Sequence, residues 1–151
     1  MAISAILVPV DYSECSGAAL TFAAELAARL GASIDVIHVW DRPLYVSESV
    51  RVEHQNQSRS LIELIRENAE ADMNDFLAKI PVPPGVRVSH RVLSGNPAGR
   101  VLEELRTGRH ELLIVGTHGR TGVRHLLLGS VAEKLVRLSP VPVLTVPATH
   151  R

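Results

Sequence analysis

Three glycines, an aspartate and a serine are the residues whose types and spacing point most directly to chemistry. Gly116, Gly119 and Gly122 fall in the stretch GTHGRTGVRHLLLGSVAEKL, residues 116–135. Glycine lacks a Cβ, so the chain can take positive φ there and a ligand can approach the backbone closely. Successive amides in such a loop can form an anion-binding nest, and the exposed N–H groups and positive dipole end of a following helix add to it. Ser130, beside Gly129, either offers a hydroxyl to a phosphate or caps that helix. The chemistry implied is a phosphate cradle, although glycines after a strand also serve as plain turn residues. The stretch ends in neither GKS nor GKT and does not fit GxGxxG, so it is neither a Walker-type loop nor a dinucleotide fingerprint.

Other polar residues can join this cradle. Asp11, at the end of an apolar strand, can accept from ribose hydroxyls or help hold a metal bound to phosphates. It can equally cap the helix that follows. His118 and Arg120 offer donors to a phosphate, and both types also occur as solvated loop residues. The seven histidines invite a metal reading, with His118 and His125 on the glycine loop and His38, His54, His90, His110 and His150 elsewhere. No pair has the HxxxH or HExxH spacing that presents two rings on one helical face. His38 reads as a hydrogen-bonded core residue. A magnesium or manganese ion carried by a nucleotide fits better than a zinc or copper site built by the protein alone. Cys15, near a helix N-terminus, is a thin case for a nucleophile. No Ser-His-Asp set and no paired carboxylates stand out, so no catalytic residue is assigned and at most slow ATP hydrolysis is expected.

These residues must be positioned by alternating strands and helices. Ile6–Val10 is a short apolar strand, and Ser13 opens a helix, with Ser16 a second cap candidate. The helix carries Ala19, Phe22, Ala23, Leu26, Ala27 and Leu30 as one stripe, and Gly31 stops it. Ser33–Trp40 is the second strand. Asp41–Val52 has no firm period and reads as a loop or lid. A long helix follows to about Ile80, carried by Ile62, Ile65, Ala69, Met73, Phe76 and Ile80, until Pro81, Pro83, Pro84 and Gly85 break it. Val86–Leu93 alternates as an edge strand does, and Asn96-Pro97 starts a third helix with Val101, Leu102 and Leu105. Leu112–Val115 is a continuous apolar run covered on both faces. Leu128, Val131, Ala132, Leu135 and Val136 give the fourth helix, and Val141–Val146, bounded by prolines, is a last edge strand. The whole reads as one α/β domain over residues 1–151: a doubly wound five-stranded parallel sheet with helices on both faces. Ligands of such sheets bind outside the carboxyl ends of the strands, where strand order reverses.

Composition excludes several function classes. Sixteen basic residues balance sixteen acidic ones, which argues against nucleic acid or an anionic membrane surface as a partner. No apolar run approaches the roughly 20 residues of a membrane span. The start MAISAILVPVD has no basic n-region or cleavage site. A single cysteine excludes an internal disulfide, and a reducing cytoplasm is the expected location.

The spacing Gly116-x2-Gly119-x9-Gly129-Ser130 resembles the signature G-x2-G-x9-G-[S/T] of the ATP-binding branch of the universal stress protein A family. The resemblance extends through ILVPVDYSE, IHVWD, GNPAGRVLEEL, LLIVGTHGRTG and GSVAEKLVRLSPVPVLTV, essentially the whole chain. It implies an adenine nucleotide alpha hydrolase-like fold with strand order 3-2-1-4-5, the switch point placing Asp11 beside Gly116 and Gly119. It implies Pro9, Val10, Asp11 and Val39 at the adenine and ribose end, with Val115 closing the pocket. Gly116, His118, Gly119, Arg120, Gly129, Ser130 and Val131 would surround the phosphates of ATP, bound with Mg2+ or Mn2+. It also implies a homodimer in which two Val141–Val146 edges pair antiparallel. The function implied is a nucleotide-dependent sensor or switch in stress response. The alternatives are a slow ATPase and a dimeric interaction module in which nucleotide is incidental. The chain departs from the family pattern at His110-Glu111, where a small residue and Asp are usual, and at the variable segment Asp41–Val52.

Overall fold

The computed structural model describes residues 1–42, 46–119 and 128–148. Five strands form one parallel sheet: β1 (Ala5–Pro9), β2 (Ser33–Trp40), β5 (Val88–Ser94), β6 (Leu112–Gly116) and β7 (Val143–Val146). Their spatial order is β5-β2-β1-β6-β7, which is 3-2-1-4-5 once a small separate hairpin is set aside. Strand order reverses between β1 and β6, which pair through Ile6 with Leu112 and Leu7 with Leu113. The helices are α1 (Glu14–Leu30), α2 (Leu61–Ala78), α3 (Pro97–Arg106) and α4 (Ser130–Leu138).

The period of two along a strand divides the core. Ile6, Val8, Ile34, Val36 and Ile114 pack on the side of α1 and α2, with Ala19, Leu20, Ala23 and Met73. Leu7, Ile37, Val39, Leu113 and Val115 pack on the side of α3 and α4, with Val101, Leu102, Leu105 and Leu135. Because both faces are covered, the central strands read as unbroken apolar runs.

Several elements differ from the sequence reading. The Asp41–Val52 loop ends early, in a hairpin of β3 (Arg51–His54) and β4 (Gln57–Ser60). It turns on Gln55 and Asn56 at φ 51 and 63, the left-handed pair that a tight two-residue hairpin loop needs. RVEHQNQSRS is polar on both faces, so it lacks the alternation that marks a half-buried strand. The rest of that segment is described only outside residues 43–45. On α1, Phe22 and Leu30 are 40% and 45% exposed, while Leu20 and Ala24 are buried. The inward face is therefore rotated toward small residues, which let the helix lie close to the sheet. Val131 and Val136 of α4 are likewise exposed. Ser16 lies inside α1, since the cap is Ser13, whose side chain accepts from the Ser16 N–H. β7 begins at Val143 because Pro142 has no N–H to donate to the ladder; its carbonyl accepts from Leu113 instead.

Candidate functional site

A cavity of about 530 Å³ opens at the carboxyl ends of β1, β2 and β6, at the reversal of strand order. It is lined by Pro9, Val10, Asp11, Val39, Val115, Gly116, His118, Gly119, Gly129, Ser130 and Val131. Of the residues singled out above, Arg120 lies outside the described residues, as do Gly122 and His125. Ser16, Asp41, Pro97, Val101, Thr117 and Ala132 also line it. Two of these were within reach of sequence reasoning. Asp41 is two residues beyond Val39, and Val101 is one turn beyond Pro97, so each repeats the facing of a neighbour.

The β1–α1 loop carries Asp11 to the cavity. Its Oδ1 accepts at 3.0 Å from the N–H of Ser13, the residue that caps α1, so Asp11 braces the cap and is not itself the cap. Its Oδ2 would stand 2.6 Å from a Cβ added at Gly119. Only a residue without a side chain leaves that carboxylate in place. Tyr12 beside it has φ 65, a left-handed conformation costing a non-glycine residue about 1–2 kcal/mol. Surrounding contacts hold it: the Tyr12 hydroxyl donates to the Ala69 carbonyl at 3.0 Å. Its ring stacks on His38 with centroids 4.3 Å apart and meets Phe76 at 5.4 Å. His38 Nδ1 in turn bonds the Val10 carbonyl at 2.8 Å, so His38 is a hydrogen-bonded, half-buried strand residue that fixes this loop.

The glycines work by close approach. Among the described residues, positive-φ glycines are Gly31, Gly85, Gly95 and Gly108, so Gly116, Gly119 and Gly129 are not there for left-handed turns. A Cβ on Gly116 would come within 2.9 Å of the Cys15 carbonyl carbon; this glycine lets β6 meet the start of α1. Gly129 donates its N–H to the Thr117 carbonyl at 2.6 Å, and a Cβ there would lie 3.3 Å from the same oxygen.

Three helices begin at this cavity and they differ. Ser13 caps α1, and the Asn96 side chain caps α3 by accepting from the Gly99 N–H. Gly129 heads α4 without any side-chain cap bond, and Ser130 is the first helical residue instead of the cap. Among the described residues no side chain caps the leading amides of α4, the kind of helix end that suits an anion. At the other end, β2 outruns β1. Val10 donates to the Ile37 carbonyl, and two residues later Val39 turns its N–H and C=O to the same side. No described backbone group bonds to Val39 there, whereas the Trp40 carbonyl on the opposite side is taken by Gly95.

The opposite end of the α3–α4 side is closed by charge. Asp35 Oδ2 accepts from Arg91 Nη2 at 2.7 Å and from His110 Nε2 at 3.2 Å. Arg91 also reaches Glu104 at 2.9 Å, and Arg109 joins Glu104 at 3.1 Å. Burial alone raises the Asp35 pKa, but hydrogen bonds from His110 and Arg91 outweigh it and hold the carboxyl below its ordinary value. The hydrogen bond from Arg91 likewise lowers Glu104. His110-Glu111 thus has a structural reason. His110 is 5% exposed against Asp35, and Glu111 accepts from the N–H groups of Ser4 and Ala5. Among the described residues no three His, Cys, Asp or Glu side chains gather as metal ligands, and no helix is long and apolar enough to cross a membrane.

Comparison with known proteins agrees with this architecture. Residues 3–147 match the model of the universal stress protein family. The universal stress protein MJ0531 of Methanocaldococcus jannaschii is 30% identical over 141 residues, covering 93% of this chain and 80% of that one. Among solved structures, the hypothetical protein MJ0577 superimposes with a TM-score of 0.77 at 22% identity over the full length of both chains. A universal stress protein from Archaeoglobus fulgidus in complex with dAMP superimposes with a TM-score of 0.61 at 19% identity, covering 97% of this chain and 99% of that one.

Proposed function

Since the chain belongs to the universal stress protein family, we propose that the cavity binds ATP and that nucleotide occupancy makes the protein a sensor or switch in stress response. The observation that carries this reading is the pairing of an apolar wall with the uncapped start of α4 in one cavity. Pro9, Val10, Val39 and Val115 supply the wall for a flat base, and the N–H and C=O of Val39, to which no described backbone group bonds, match the acceptor and donor on one edge of adenine. Gly116, His118, Gly119, Gly129, Ser130 and Val131, with Arg120, take the phosphates. At about 530 Å³ the space falls in the range of small-molecule sites. The dAMP complex of the structural neighbour supports an adenine nucleotide.

A divalent ion belongs to this reading. The described wall carries two carboxylates, Asp11 and Asp41, whose repulsion of a triphosphate a divalent ion would offset. Mg2+ or Mn2+ is held by one or two carboxylates together with substrate phosphates, and Asp11 is the residue this reading assigns to it. Calorimetric titration of nucleotide-stripped protein with ATP, with and without Mg2+, tests the reading. Saturable heat with ATP, weakened about tenfold or more by chelation and not reproduced by GTP, is the expected result. Absence of heat and of any rise in melting temperature would overturn it.

Two further readings can be tested separately. A slow ATPase would release phosphate above background and lose it in Asp11→Ala; equal rates would mark a contaminant. A homodimer would form through the strand at residues 141–146, because β7 is the outer strand of the sheet and an uncovered edge invites pairing. A single-chain mass by light scattering at micromolar concentration would count against it.

A further inference from the structure

Among the described residues three besides glycine have a positive φ: Tyr12, Gln55 and Asn56. Gln55 and Asn56 form the turn of an exposed hairpin, which needs such a pair. Tyr12 is different. Bulky side chains rarely take this backbone, and this one stands between Asp11 and Ser13, the cap of α1. Outliers of this kind persist only where the surroundings over-determine them, and they cluster at ligand sites.

Packing alone does not account for the conformation. A tyrosine ring can be buried from an ordinary backbone, and a glycine would take φ 65 without cost. What the conformation accompanies is a tight turn in which Asp11 Oδ1 accepts from the Ser13 N–H two residues on, with Tyr12 in the middle. One carboxylate oxygen is engaged there. The other, Oδ2, is set toward Gly119, 2.6 Å from where a Cβ on that glycine would stand.

The clamp on Tyr12 comes from the other face of the sheet. Tyr12 packs against the core on the side of α1 and α2, whereas Val39, Val101 and Val115 of the cavity wall belong to the side of α3 and α4. Its hydroxyl reaches the Ala69 carbonyl of α2, and its ring stacks on His38 of β2. His38 also bonds the Val10 carbonyl, so one histidine touches both neighbours of Asp11. Neither Tyr12 nor His38 lines the cavity. Contacts made on one face of the sheet thus aim a carboxylate at the other.

Resting on the reading of the cavity as an ATP site, we propose that Tyr12 is the positioning residue for the metal-bound nucleotide. Its left-handed backbone, clamped by His38 and α2, holds the Asp11 carboxylate toward the ion and the phosphates. Tyr12 touches no ligand and acts through Asp11 alone. A carboxylate fixed in this way has less freedom to lose on binding, which favours affinity.

The test titrates nucleotide-stripped wild type and Tyr12→Gly with ATP by calorimetry, with Mg2+ and with chelator, and repeats the pair in an Asp11→Asn background. Tyr12→Gly takes φ 65 without strain but loses the clamp. Its affinity for ATP with Mg2+ should fall about tenfold, to that of chelated wild type, and chelation should no longer change it. In the Asp11→Asn background the same substitution should alter affinity by no more than about twofold, since the group it positions is gone. Should Tyr12→Gly not fold, Tyr12→Phe decides. It loses only the bond to Ala69, and its Mg2+ dependence should fall about threefold; an unchanged dependence there would overturn the clamp. A role in packing alone would lower the melting temperature and leave the Mg2+ dependence of binding at its wild-type value. That outcome, or an equal loss of affinity in both backgrounds, would overturn the proposal while leaving the ATP site standing. Wild-type protein that binds no ATP, or binds it equally with and without Mg2+, would remove the reading of the site and this role together.

Discussion

The α3–α4 side of the sheet carries charge at both ends of the strands, and the two ends treat it oppositely. At the amino ends Asp35, Arg91, Glu104, Arg109 and His110 answer one another within 3.2 Å, with Glu104 and His110 buried and Arg109 exposed. At the carboxyl ends Asp11, Asp41, His118 and the head of α4 border about 530 Å³ of space. Burying charge is tolerable only when it is paired, so the first region belongs to the folding of the chain. The second sets its polar groups at the rim of a cavity. On the proposed function, stability and binding fall to different ends of the same strands.

Substitutions can break that division. The largest effect on folding is expected at Gly116, whose Cβ would meet the Cys15 backbone at 2.9 Å. Backbone on both sides cannot rotate away, so Gly116→Ala should cost about 3 kcal/mol in denaturant unfolding. Gly119→Ala meets only the tip of the Asp11 side chain and should unfold almost as the wild type does. At the closed end, Asp35→Ala strips Arg91 and His110 of a partner and should cost about 2 kcal/mol, with ATP affinity unchanged. Loss of affinity in that variant would show that the two ends are coupled.

Acid sharpens the same contrast. Asp35 and Glu104 have folded pKa values below their ordinary ones. Such groups contribute stability that is present above about pH 4 and lost as pH falls through the folded values. Urea unfolding followed downward from pH 5 should therefore show the stability gap between wild type and Asp35→Asn narrowing below about pH 4. A gap constant with pH would remove the electrostatic account of that cluster. A smaller cost than at Gly116 or Asp35 is expected at the capped helix beside the cavity: Asn96→Ala should cost about 1 kcal/mol, read as a modest fall in melting temperature.

The parts legible in the sequence were those where local pattern and global fold agree. Ser13 and Gly31 bound α1, Asn96-Pro97 starts α3, and Leu112–Val115 reads as a strand because both its faces are covered. The cavity followed from strand order, which the family resemblance supplied and spacing alone could not. Other features depend on what meets in three dimensions. The hairpin at residues 51–60 has no apolar face to announce it. The inward face of α1 is set by how closely Ala19, Ala23 and Ala27 approach the sheet, so Phe22 is turned outward despite its size. Gly116 and Gly119 look alike in the sequence, yet one accommodates a helix and the other a carboxylate. Asp35 and Arg91, 56 residues apart, carry no sign in the sequence that they meet.

The central claim is that the open end is a nucleotide site shaped by its glycines. Its most direct measurement is calorimetric titration of nucleotide-stripped wild type and Gly119→Val with ATP and Mg2+. The account predicts saturable binding in the wild type and an affinity at least about 100-fold weaker in the variant, because the side chain displaces the Asp11 carboxylate and fills the cradle. Equal affinities in the two proteins would contradict it.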